Sequence, residues 1–135
     1  MKAIYSIAIT LLINAALSAC TPKMTFTNST IVPSATGNVT VKKDKNKNYV
    51  INVSVQNLAD PQKLNPAKST YLVWTESKND PVQKLGKISP SGKALQGSLR
   101  ATTTSEPTDV FITAEDNVDL QYPDGRIVLT TKKEP

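Results

Sequence analysis

The 135-residue chain has no histidine, one cysteine (Cys20), five glycines and only 5% aromatic residues. Without histidine neither a Ser-His-Asp nor a Cys-His relay can be assembled. Zinc held by imidazole is excluded for the same reason, and a thiolate set by the single cysteine. With one cysteine there is no intrachain disulfide, so the fold must stand on its core alone. A long helix is missing too, because no window repeats apolar residues at i, i+3, i+4 and i+7 over three turns.

What is present begins with the first twenty residues. Lys2 supplies a short positive region, Ala3 to Ala16 is mostly apolar, and Ser18 and Ala19 are the small residues of a cleavage point. This is the layout of a secretory signal. Its apolar part falls short of the ~20 residues that a membrane-spanning helix needs. The run Leu17-Ser18-Ala19-Cys20 places a cysteine directly after the cut, and so resembles a bacterial lipoprotein signal peptide. That likeness implies cleavage after residue 19, a diacylglyceryl thioether on Cys20 and acylation (palmitate or similar) of the new amine. One acyl chain binds a membrane marginally, whereas two or three hold firmly. Thr21, where an inner-membrane retention signal would place Asp, implies an outer-membrane protein facing the periplasm.

Loss of Lys2 with the signal leaves 15 basic residues against 11 acidic ones. That mild excess, spread along the chain, does not make a nucleic-acid binder. Residues 20–36 are rich in Thr, Ser, Asn and Pro, and only Met24, Phe26, Ile31 and Val32 are suited to packing. They are read as a tether, with room for one short edge strand, that would reach on the order of 50 Å if extended.

From Gly37 onward the pattern is β, and residues 37–135 form one domain. Val39 and Val41 alternate with polar residues, Asp44 to Asn48 is a polar turn, and Tyr49, Ile51, Val53 and Val55 follow at a spacing of two. A period of two marks half-buried strands, and the pair predicts a hairpin. Further strands are expected at Thr70–Ser77, Val82–Ile88, Ala94–Thr102, Val110–Ile112 and Ile127–Leu129, each bounded by Pro, Gly or Asn-Asp turns. About seven short strands in steady succession predict an all-β antiparallel sandwich. Gly86 is expected at a bulge, and Gly125 at the left-handed position of a turn. Trp74, the only tryptophan, is expected in the core.

Four segments in this order, Tyr71-Leu72-Val73-Trp74, Lys84 to Ile88, Val110 to Asp116 and Pro123 to Leu129, resemble the extracytoplasmic C-terminal domain of anti-sigma-K-type factors. The likeness is greatest to the free-standing lipoprotein versions found in Bacteroidetes, and it spans roughly Asn52 to Thr131. It implies an immunoglobulin-like sandwich in the cell envelope. It carries over no sigma-factor binding, which in those regulators belongs to a cytoplasmic domain with no counterpart here.

No catalytic residue, metal ligand or cofactor motif stands out. Glu115, Asp116, Asp119 and Asp124 gather carboxylates, but their spacing misses a calcium loop, and they read as a solvated acidic loop. Lys42, Lys43, Lys45 and Lys47 surround the first turn, where lysines deter edge pairing or meet acidic headgroups. Two classes of function remain. One is a non-catalytic adaptor that binds another envelope protein through an exposed strand edge or the Asp60–Lys68 loop. The other is a module that senses a glycan or small ligand through aromatics such as Tyr49, Tyr71 or Tyr122. A buried aromatic set favours the first, and a surface row of aromatics the second.

Overall fold

A computed structural model describes residues 23–133. The segment 1–19 read as a signal, the expected lipidation residue Cys20 and the last two residues lie outside the described residues. Eight strands follow one another: β1 (Lys23–Thr25), β2 (Thr36–Lys43), β3 (Tyr49–Gln56), β4 (Thr70–Ser77), β5 (Gln83–Ile88), β6 (Gly97–Thr103), β7 (Pro107–Glu115) and β8 (Ile127–Thr130). A single 3-10 turn, Pro61–Lys63, lies between β3 and β4.

The strands form two antiparallel sheets of four, ordered β1-β2-β3-β6 and β5-β4-β7-β8. This is the all-β antiparallel sandwich expected from the strand pattern. It has eight strands rather than seven, and the added one is the edge strand β1. The chain crosses between sheets after β3, β5 and β6. All turns therefore fall at two ends. One end holds the β2–β3 and β4–β5 turns and the β6–β7 connection. The other holds the long loops that lead into β2, β4, β6 and β8.

Period-two alternation explains the first sheet. Val39, Val41, Ile51, Val53 and Val55 are buried against the second sheet, while Asn52, Ser54 and Gln56 face solvent. The β2–β3 hairpin runs in unbroken register from Thr36↔Gln56 to Lys43↔Tyr49. Asp44 closes its turn by accepting the Asn46 and Asn48 amides at 2.8 and 2.9 Å. At Gly86 the expected bulge is present: Val73 pairs with Gly86 but Trp74 pairs with Lys84, so the register shifts there.

Two expectations change. The segment read as a tether packs onto the sandwich from Lys23 onward. Phe26, Val32 and Ala35 join the main core, and the Thr27 amide bonds to the Thr130 carbonyl at 2.8 Å. The folded domain thus begins about fourteen residues before Gly37. Gly125 is not left-handed; among the described glycines only Gly86 and Gly92 have positive φ. Glycine is needed at position 125 for closeness, since a Cβ there would run into the Ala114 carbonyl.

Tyr71 ties the core to the loop after β3. Its ring is fully buried, and its hydroxyl donates to the Ala59 carbonyl at 2.6 Å. Burial, reinforced by the nearby Asp60 carboxylate, pushes its pKa up to about 12. A phenol that holds its proton more tightly when folded stabilises the fold fully below the unfolded value of ~10. That contribution fades as pH rises from about 10 to 12, by roughly 2 kcal/mol at most. Tyr71→Phe should therefore cost about 1 kcal/mol at neutral pH and flatten this alkaline loss, as denaturant titrations at pH 8 and 11 would read.

Candidate interaction surfaces

The second sheet is covered on both faces. Tyr71, Val73, Val110, Ile112 and Ala114 point into the main core, while Leu72, Trp74 and Phe111 form a second apolar cluster on the outward face. Partly buried Val82 and Leu120 close over that cluster. Trp74 is fully buried as expected, but beneath the 116–126 loop and not between the sheets.

A buried polar chain holds this cover in place. The Trp74 Nε1 donates to Thr113 Oγ1 at 2.8 Å, and Thr113 Oγ1 donates to Glu115 Oε1 at 2.7 Å. The Glu115 carboxylate also accepts the Asp124 amide at 3.0 Å and the Gly125 amide at 2.9 Å. Glu115 is only 2% exposed, so it is a latch and not a member of a solvated loop. Asp116, Asp119 and Asp124 are exposed, and Asp116 pairs with Lys68 at 3.1 Å. Lys84 Nζ crosses to the Val118 carbonyl at 2.9 Å. Three carboxylates thus go three separate ways, and no cluster of three or more His, Cys, Asp or Glu side chains suited to a metal occurs among the described residues.

The aromatic residues do not line a groove. Phe26, Tyr71, Trp74 and Phe111 are buried, and Tyr49 is half-buried beneath Lys43, whose Nζ lies 5.8 Å from the ring centroid. Among the described aromatics Tyr122 alone is well exposed, at 69%. The depressions of the surface are shallow and differ in chemistry. One of about 490 Å³ at the loop end is lined by Ile31, Pro33, Ala59, Lys63, Leu64 and Arg126, among others. Its walls are set by Ser29 Oγ, which accepts the Ile31 and Val32 amides, and by Arg126, which donates to the Asn65 carbonyl at 3.0 Å. The Asp60–Lys68 loop behind it is pinned by the Lys68 amide on the Pro61 carbonyl.

The outward face of the first sheet is polar except for half-buried Val50: Asn38, Thr40, Asn52, Ser54, Ser98, Arg100 and Thr102 are partly or fully exposed, with no acidic residue among them. Strand edges differ more sharply. β1 and β8 have three and four residues, and β5 carries Lys84, Lys87 and the bulge. Only β6 is both long and regular, seven residues in continuous register with β3 and with one charge, Arg100. Short, bulged or lysine-bearing edges resist pairing with another chain; β6 has none of these guards itself, although β5 of the second sheet packs beside it, with Gly86 against Leu99 and Gly97 against Ile88.

No helix among the described residues is long and apolar enough to cross a membrane. No family model, no curated protein and no solved structure matches the chain.

Proposed function

We propose that this protein is a lipid-anchored component of the cell envelope that acts by binding another envelope protein, with no chemistry of its own. The observation that carries the reading is the burial of the aromatic set. Of the six aromatics among the described residues four are buried, and only Tyr122 is well exposed. A glycan-sensing module would need stacking platforms beside a groove, so the adaptor is the better supported of the two readings. The contact is placed on β6, the end strand of its sheet, because an extended segment of a partner can add to such an edge as a further strand.

The likeness to the extracytoplasmic domain of anti-sigma-K-type factors is proposed with it. Its four motifs fall in β4, β5, β7 and the approach to β8, which together make up the second sheet.

The anchor is proposed on Cys20, at the outer membrane facing the periplasm, on the strength of the Leu17-Ser18-Ala19-Cys20 run. Cys20→Ser should remove the lipid mass and shift the protein out of the membrane fraction. Unchanged fractionation, with no lipid mass on the wild type, would sink the anchor. For the adaptor, a photocrosslinking side chain at Arg100 or Thr102 should give one discrete protein adduct in cells, and the same group at Lys93 should not. Hydrolysis of an envelope glycan or peptide by the purified protein, lost on changing one Asp, Glu or Ser, would prove the adaptor reading wrong.

A further inference from the structure

We infer that the end of the sandwich bearing the β2–β3 turn rests on acidic phospholipid headgroups of the membrane that holds the anchor; the inference builds on the proposed acylation of Cys20. Strand direction makes the first part of the case. Lys23 pairs with Thr40 and Thr25 with Asn38, so the chain leading into β1 arrives from the side of Lys42 and Lys43. Lys23 is only three steps along the chain from Cys20, with Thr21 and Pro22 between them, and three steps span at most about 11 Å. At ~3.4 Å per residue, that is the rise of β2 from Thr40 to Lys43. The anchor can therefore lie level with the turn end, and it is too short to reach the loop end.

Charge makes the second part. Lys42, Lys43, Lys45 and Lys47 are exposed around the turn, and the one acid among them, Asp44, is occupied by the Asn46 and Asn48 amides. A second strand delivers two more lysines. β6 finishes at Thr103 opposite Tyr49 and β7 starts at Pro107, so β8, antiparallel to β7, runs back toward the turn end. Lys132 and Lys133 follow it and are exposed. Lys78 of the β4–β5 turn is offset by Asp80; the other acids toward this end are exposed Glu106, half-buried Glu76 and buried Asp109, whose carboxylate accepts the Thr130 and Thr131 hydroxyls. At the loop end Asp60, Asp116, Asp119 and Asp124 balance Lys63, Lys68, Lys93 and Arg126. Among the described residues the turn end thus carries seven lysines against five acids, four of the lysines bunched on one turn, while the loop end is near neutral, and the anchor arrives on the more cationic side. Clusters of lysine next to a membrane anchor are drawn to anionic lipid within about a Debye length.

The test uses the acylated full-length protein reconstituted into vesicles of phosphatidylcholine alone or with phosphatidylglycerol. With Cys20 acylated, Asn46→Cys provides the sole free thiol for a fluorophore, and Lys93→Cys provides one at the loop end. Nitroxide-bearing headgroups should quench the label at 46 more strongly when phosphatidylglycerol is present, and 1 M salt should reverse the gain. The label at 93 should not respond. Replacing Lys42, Lys43, Lys45 and Lys47 together by Gln should abolish the gain while leaving flotation with neutral vesicles intact, with circular dichroism as the check on folding. Equal quenching at 46 in both vesicle types, or equal quenching at 46 and 93, overturns the inference alone. Protein that carries no acyl mass and does not float with neutral vesicles overturns the anchor, and this orientation with it.

Discussion

Trp74→Ala is expected to lower the unfolding free energy by about 3–5 kcal/mol, a large part of the ~5–15 kcal/mol that a domain of this size possesses. The indole is fully buried with Leu72 and Phe111, so truncation leaves a void under a loop that has little apolar area of its own. The cover contributes only Val82 and Leu120. The change also strips Thr113 Oγ1 of its donor. Trp74→Phe separates the two effects, since it keeps most of the volume and loses only the indole N–H. It should cost less than half as much. Urea unfolding followed by circular dichroism measures both. A loss under 1 kcal/mol for the alanine variant would mean that the outward cluster contributes little to the fold.

Glu115→Ala is expected to cost about 2–4 kcal/mol, because hydrogen bonds to a charged acceptor are individually strong and their buried donors are expensive to orphan. Three donors depend on this carboxylate, namely the Thr113 hydroxyl and the amides of Asp124 and Gly125. Glu115→Gln keeps one oxygen but turns an NH₂ group toward amide donors, so it should recover only part of the loss. The Trp74 and Glu115 changes share one chain of bonds, and their combined cost should fall short of the sum. Amide exchange adds a local readout: protection at Asp124 and Gly125 should drop in the glutamate variant while that of β2 and β3 holds. Uniform loss across both sheets would contradict the latch.

The first sheet was legible because each strand has one wet face. Val39 to Val55 alternate cleanly, and a period of two with a polar turn leaves few other ways to fold. The second sheet was harder to read. In β4 every residue from Thr70 to Thr75 is buried, so parity cannot tell which side chains meet the first sheet. Trp74 was legible as buried, and its face was not. Glu115 was misread for a related reason. Its burial depends on amides nine and ten residues further on, and composition alone reports four nearby acids. The 23–36 segment was hidden by its Thr and Ser content, although Phe26 and Val32 were among the residues suited to packing. The bulge at Gly86 was readable because glycine inside a strand has few other causes.

The proposed lipid attachment at Cys20 rests on a local pattern and required no fold at all. The proposed interaction edge is the opposite case. Nothing in Gly97 to Thr103 marks it as an edge until the sheet order is known.

Because the folded domain begins three residues after the proposed lipid attachment, the protein would have almost no leash. A module on a 50 Å tether sweeps a wide volume and can hunt for soluble partners. One held within about 11 Å of its lipid explores little more than the plane of the bilayer. The longest strand has nine residues, or roughly 30 Å of height, and the β6 edge stands within that layer. A partner must bring its own binding segment down to that height, so encounters would be two-dimensional, governed by lateral diffusion and by how many anchored copies share the leaflet.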